Sequence, residues 1–323
     1  MSEAQERKRL QVGGQAVIEG VMMRSPTCIA TAVRTPDGIV VKREPFTSLV
    51  KRHRLLGVPI VRGAVAFVET FVVAVKALSY SAEIASAEPG AAGAGKESAE
   101  AGRGPAEIAP AEGRGKARGK GLSALSIAAT LAAAFLIGFA IFFYLPLVLT
   151  ELTGLRGGVL FNLVDGVIRL AFLLVYIVLI TRWKEMRRIF EYHGAEHKAI
   201  AAFEAHGTAT LENTRDYPTT HARCSTSFLL LVVVVSVLVF MMLGRPDTIG
   251  EKLLRFAFIP VIGGVSYELL KLSARPGARR YFAPLVRPGL ALQRLTTKEP
   301  DAGQVEVAIA ALDACLSENP VAS

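Results

Sequence analysis

Two of the chain's five histidines stand one helical turn apart, in His193-Gly194-Ala195-Glu196-His197, on the helix-favouring run WKEMRRIFEYHGAEHKAIAAFE. At positions i and i+4 the imidazoles share a helix face and can offer nitrogens to one metal ion, with Glu196 beside them. The order is H-x-x-E-H, the inverted zinc-protease arrangement, in which the histidines bind zinc and the glutamate activates a metal-bound water. The competing reading makes them interfacial histidines bonded to neighbours or headgroups. A catalytic zinc needs a third protein ligand and an open position. Glu268 is the first choice, because a carboxylate at the inner edge of an apolar helix is costly and needs a partner. The bland alternative pairs it with Lys271 at i, i+3 or lets it snorkel to the surface. His221 is the second choice and Cys224 the third, both in His221-Ala222-Arg223-Cys224 just before a long apolar stretch. The divalent metal, by ligand type, is zinc.

A second cluster, Gly13-Gly14-Gln15-Ala16-Val17-Ile18-Glu19-Gly20-Val21-Met22-Met23-Arg24, carries paired glycines around polar side chains. It has neither G-x-G-x-x-G nor the P-loop Lys-Ser/Thr, so it is no phosphate cradle. Its glycines are expected to allow a tight backbone or close packing on the membrane domain. Gln15, Glu19 and Arg24, with Arg223 and Cys224, are the candidate substrate or packing contacts. G-x-S-x-G and paired CxxC motifs are absent from the sequence, which leaves serine-hydrolase and zinc-ribbon readings unsupported.

The elements that must position these residues follow from hydropathy. The chain is 51% hydrophobic, with a mean hydropathy of +0.40, and its apolar residues are gathered into blocks long enough to cross a bilayer. Segments 123–149, 157–181, 226–243 and 253–272 are predicted spans. Asp165 and Arg169 share one face of the second, and Pro260, Gly263 and Gly264 break the fourth. Segment 58–80 carries Arg62, Glu69 and Lys76 at seven-residue intervals, a polar stripe that predicts an interfacial or re-entrant helix, with a fifth span as the rival. Lys and Arg set the orientation. Residues 1–57, 81–122, 182–224 and 271–323 hold ten, six, seven and seven, whereas loops 150–156 and 244–252 hold one and two. Basic segments resist translocation, so both termini are expected in the cytoplasm.

Within that frame, 1–57 is a cytoplasmic β-containing region. Its runs 27–35 and 39–45 flank Pro36-Asp37-Gly38, a turn signal that predicts a β hairpin. Region 58–80 is the amphipathic or re-entrant helix, and 81–122 is an Ala/Gly/Glu/Lys linker too poor in apolar bulk to order itself. Region 123–272 is the membrane domain with its cytoplasmic loop 182–224. The tail, 273–323, closes on an amphipathic helix at 303–316, where Val305, Ile309, Leu312 and Leu316 recur at helical spacing. The fold class is therefore an α-helical multi-pass membrane protein, with four spans, one interfacial or re-entrant helix and a small N-terminal β hairpin region. Three cysteines at no framework spacing fit a reducing compartment. The polar N-terminus predicts no removable signal peptide. The net charge of +9 suits basic loops facing anionic lipid headgroups rather than nucleic acid.

Taken together, GGQAVIEGVMMRSP, YHGAEHKAI, HARCSTSFLL, GGVSYELLKLSAR and QRLTTKEPDAGQVEVAIAAL resemble the YqhQ-like family of bacterial membrane proteins, domain of unknown function 1385. The resemblance covers nearly all of the chain except the linker, which is longer and richer in Ala and Gly than the family's pattern. It implies a bacterial cytoplasmic (inner) membrane protein, in a family described as metal-dependent. By resemblance, Gln15, Glu19, Arg24, His193, Glu196, His197, His221, Arg223, Cys224 and Glu268 fall in the family's signature segments. The leading functional expectation is a metal-dependent membrane enzyme, hydrolytic, acting at the cytoplasmic leaflet on a lipid-linked or membrane-protein substrate. In it His193, His197 and Glu268 or His221 hold the metal and Glu196 shuttles the proton. The alternatives are a non-enzymatic membrane chaperone or assembly scaffold, in which the histidines are structural, and a small transporter suggested by the broken fourth span and the Asp165/Arg169 pair.

Overall fold

Tight turns build the N-terminal sheet in a computed structural model that describes residues 12–86, 124–221, 224–273 and 279–317. Strands β3 (Cys28–Thr35) and β4 (Gly38–Pro45) form the predicted hairpin. Thr35 pairs with Gly38 across Pro36-Asp37, and Gly38 takes a positive φ of 139°. Two further strands, β1 (Gly13–Val17) and β2 (Gly20–Arg24), occupy the glycine-rich cluster. Val17 pairs with Gly20 around Ile18-Glu19, and Glu19 is held at φ 50°. The result is a four-stranded antiparallel meander in the order β1-β2-β3-β4, larger than the hairpin expected from the sequence.

Alternation along these strands sends side chains to two faces, and both are covered. Val21, Met23, Ala30 and Ala32 pack with Tyr192, Ala199 and Phe203 of one helix and Ala308, Ala311 and Leu312 of another. The first is α5 (Lys184–His206), which fills most of the loop 182–224, and the second is the C-terminal α10 (Ala302–Leu316). Asp301 caps α10 through a reciprocal capping box with Gln304. On the opposite face Val17, Met22 and Ile29 pack against Ala77 and Val73 of α1 (Val61–Ala85).

Among the described residues, four helical runs are long and apolar enough to cross a membrane: Ala132–Leu152, Gly158–Ile180, Thr226–Leu243 and Ile249–Ser273. The first joins α2 (Ala124–Phe139) to α3 (Leu145–Leu152) through a π-helical turn, Ala140–Tyr144. The others are α4 (Gly158–Ile180), α6 (Ser225–Leu243) and the pair α7 (Ile249–Ala257) and α8 (Ile259–Ser273), which break at Phe258 before Pro260. The two short connections meet at one end of these helices. Arg245 donates to the Leu155 carbonyl at 2.8 Å, and Lys252 pairs with Glu151 at 2.6 Å. Inside, Arg169 Nε donates to Asp165 at 2.8 Å and Nη2 reaches the Phe143 carbonyl in the π turn at 3.4 Å. Arg255 Nη2 donates to Asn162 Oδ1 at 2.7 Å, so these buried charges tie three of the runs together.

The stripe on α1 resolves residue by residue. Arg62 grips both carboxylate oxygens of Glu268 on α8. Glu69 accepts from Ser48 Oγ at 2.8 Å and from the Leu49 N–H, while Lys76 is exposed. The helix runs unbroken from Val61 to Ala85, five residues into the expected linker, whose remainder from residue 87 lies outside the described residues. The tail holds a second helix that the sequence did not suggest, α9 (Arg279–Thr296), because Pro284 and Pro288 argue against one. It packs along α6.

Small residues let α1 approach α8. A side chain at Gly264 would put its first carbon 2.4 Å from the Ile60 carbonyl oxygen, and one at Gly63 would lie 2.8 Å from Gly264. Gly264→Leu is therefore expected to cost about 1–3 kcal/mol through overpacking and to lower the thermal midpoint of the detergent-purified protein by several degrees. An unchanged midpoint would show that the two helices do not touch there.

Candidate functional site

Helix α5 ends where Gly207, at φ 82°, takes the left-handed conformation that closes a helix. Its inward face carries polar groups as well as apolar ones: His197 is 2% exposed and Glu196 5%. Buried polar atoms need partners, and each ring finds a backbone carbonyl. His193 Nδ1 lies 2.9 Å from the Thr296 carbonyl oxygen and His197 Nδ1 2.6 Å from that of Thr219. A carbonyl only accepts, so each Nδ1 carries a proton, and Nε2 is the ring nitrogen left to face the cavity.

Cys224, the residue that caps α6, stands beside both rings. Its sulfur lies 3.3 Å from His193 Nε2 and accepts the Thr226 N–H at 3.4 Å. His193, His197 and Cys224 place their donor atoms all within 4.8 Å of one another, and the two rings stand 4.5 Å apart. Glu196 Oε2 is 3.9 Å from both Nε2 atoms, beside the donors rather than among them. Burial pushes its carboxyl pKa up, opposed by His193, His221 and the Gly14 N–H that reaches it from β1. Burial likewise pushes His197 and His221 down, toward their neutral forms. The geometry offers two imidazoles, one sulfur and an adjacent carboxyl group, a donor set that suits a divalent ion with one position left open.

The other candidates go elsewhere. Glu268, expected as the third ligand, spends its carboxylate on Arg62 and lines a different cleft with Pro59 and Ile60. Its partner is a guanidinium from a distant segment, which satisfies a part-buried carboxylate as well as a metal would. His221 stays near, its ring 5.7 Å from His197, but its Nε2 faces Glu204 at 3.4 Å. Gln15 donates to the Ala74 carbonyl at 3.5 Å and lines the same cavity as the histidines. Glu19 pairs with Arg188 and accepts from Tyr192 Oη at 3.3 Å, a contact that holds β1 and β2 on α5. Arg24 reaches Thr70 at 3.4 Å and lies over the Phe46 ring. Arg223 lies outside the described residues.

Three supporting residues escaped the sequence reading. Thr219 and Thr296 act through their carbonyls, which carry no sequence signal. Fully buried Gln293 clamps the segment before Cys224, its amide bonding both the N–H and the carbonyl of His221 at 2.9 Å. A lone amide in the run LALQRL is the only hint. The site opens into a cavity of about 540 Å³ walled by β1, α1, α5, α6 and α8. A larger groove of about 1020 Å³, between α1 and the sheet, contains none of the site's histidines or cysteine.

Gly194 makes the arrangement sterically possible. An added side chain would put its first carbon 2.0 Å from the Lys298 carbonyl oxygen, in the segment whose Thr296 orients His193 and whose Lys298 N–H bonds Phe190 at 2.9 Å. Gly194→Ala is expected to lift residues 296–298 off α5, at a cost of about 1–3 kcal/mol, and to expose the tail to trypsin. Wild-type protection in that variant would contradict the contact.

Comparison with known proteins follows the same span of chain. No solved structure matches it. One relative, "Uncharacterized protein YqhQ" of Bacillus subtilis (strain 168), is 33% identical over 314 residues, covering 92% of this chain and 89% of the relative. The family model described as "Protein of unknown function (DUF1385)" matches residues 58–318, and the chain belongs to that family.

Proposed function

We propose that this protein is a metal-dependent hydrolase of the bacterial inner membrane, with its site at the cytoplasmic face. One observation carries the reading: His193, His197 and Cys224 bring a donor atom each within 4.8 Å of one another, while Nδ1 of each histidine is held by a backbone carbonyl. Such outer partners fix ring orientation at metal sites. Bound there, a divalent ion, zinc by its donor set, would supply Lewis acidity and an acidified water. Glu196 then takes a proton from the attacking water and returns it to the leaving group, so that water is split across the cleaved bond. Its carboxylate, 3.9 Å from the Nε2 of each imidazole, stands beside the position where such a water would sit. His221, backed by Glu204, stands on the same wall as a positioning residue.

The cytoplasmic placement rests on charge. The described parts of the basic segments, 12–57, 182–221 and 279–317, belong to the end that carries the site, and the two poor loops meet at the other. Helix α6 alone separates the ends by about 28 Å at 1.5 Å per residue.

Zinc-reconstituted protein is expected to retain about one zinc per chain by elemental analysis. The double variant His193→Ala, His197→Ala should lose it and Cys224→Ser should hold it more weakly. Glu196→Gln should keep it. No stoichiometric metal in the wild type, or full retention in the double variant, would overturn the reading. For orientation, a single cysteine introduced near residue 100 should react with a membrane-impermeant maleimide only in permeabilised cells. Labelling of intact cells would put that segment outside.

A further inference from the structure

We infer that the cavity beside His193, His197 and Cys224 takes the acyl chain of a bilayer lipid, so that the bond cleaved is an acyl ester or amide of a membrane amphiphile. This rests on the hydrolase reading and names its substrate class. Opposite the donor atoms the wall is apolar and aromatic: Phe67 and Phe71 from α1, Phe228 from α6 and Leu270 from α8. Phe67 and Phe228 meet with ring centroids 5.7 Å apart. The same Phe67 and Phe71 are 49% and 55% exposed, so the wall continues outward onto the apolar surface of α1. It adjoins α6 and α8, which lie within two of the four runs long and apolar enough to cross a membrane. A groove of this kind lets a hydrocarbon chain slide in sideways without meeting water.

The polar lining points the same way. Among the described residues the cavity presents no Lys, Arg or Asp, and Glu196 is its one acidic side chain. A peptide substrate would extend the free edge of β1, as chains do when they add to a sheet. That edge is already engaged at Gly14, whose N–H goes to Glu196 and whose Cα hydrogens face the Glu196 side chain, with no room for a side chain between them. Tyr267 lines the cavity, and Gln15, whose amide carries a second N–H beside the one given to Ala74, can bond the ester or headgroup oxygens. Hydrolysis there breaks the bond between the acyl carbon and its oxygen or nitrogen. The water's hydroxyl goes to the acyl carbon and its proton, through Glu196, to the departing alcohol or amine, so no redox partner is required.

The test uses the full chain in nanodiscs with a monoacyl glycerophospholipid that carries a diazirine in mid-chain. Photolabel is expected on peptides holding Phe67, Phe71 or Phe228 and is expected to be displaced by unlabelled monoacyl lipid. Phe71→Asp should reduce it at least tenfold with metal content unchanged. Should Phe71→Asp fail to fold, Phe67→Ser supplies the same reading with a smaller change. The metal-free His193→Ala, His197→Ala variant should still label, whereas wild-type protein that labels but holds no stoichiometric metal would fault the hydrolase reading and spare the acyl site. Label confined to outward residues such as Phe135 and Leu136, or displacement at Phe71 by a hydrophobic peptide but not by lipid, would overturn the acyl site while leaving the metal result untouched.

Discussion

Two backbone carbonyls, those of Thr219 and Thr296, hold the polar face of α5 in place, and the rest of the arrangement is built around them. An imidazole buried without a partner costs about 1–3 kcal/mol, so His193 and His197 can face inward only where main-chain acceptors reach them. Both acceptors lie beside apolar helices. Thr219 precedes Cys224 and the start of α6, and Thr296 ends α9, which packs along α6. The bonds that orient the rings therefore also dock the sheet domain onto the helices, and Gln293 reinforces the join by pinning His221 and donating to Ser227 Oγ at 3.0 Å.

Helix α1 serves two sides of the molecule. One face covers the sheet through Val73 and Ala77, and another supplies the aromatic wall of the cavity. Its ends are fixed differently. Near its start the Arg62–Glu268 pair and the Gly63/Gly264 approach bind it to α8. Near its end Ser81 Oγ accepts the Ile18 N–H in the turn between β1 and β2. A helix held to a strand turn at one end and an apolar helix at the other fixes the distance between the sheet and the apolar runs, and with it the width of the cavity.

Much of this was legible in the sequence. Apolar stretches of about twenty residues with few charges match the thickness of a bilayer, which is why four candidate spans were readable. Pro36-Asp37-Gly38 announced one hairpin through turn chemistry, whereas Ile18-Glu19 announced nothing, because neither residue is one that favours a tight turn and the partners of the Glu19 carboxylate, Arg188 and Tyr192, lie 169 and 173 residues away. The i, i+4 histidines were visible because helical spacing is a local property. The residue that joins them was harder. Glu268 had the better chemistry on paper, but its need for a partner is met by Arg62, 206 residues earlier in the chain. Cys224 ranked last in the sequence and stands closest in space because the start of α6 folds against α5. Pairings of that range depend on the packed fold and leave no local pattern.

The central claim is that two imidazoles and one thiolate share an ion. X-ray absorption at the zinc edge of the reconstituted protein reads that set of atoms directly. The account predicts two nitrogen scatterers at about 2.0 Å, one sulfur at about 2.3 Å and one light atom in the open position, with the sulfur shell absent in Cys224→Ser. A shell of oxygens and nitrogens without sulfur in the wild type would contradict it.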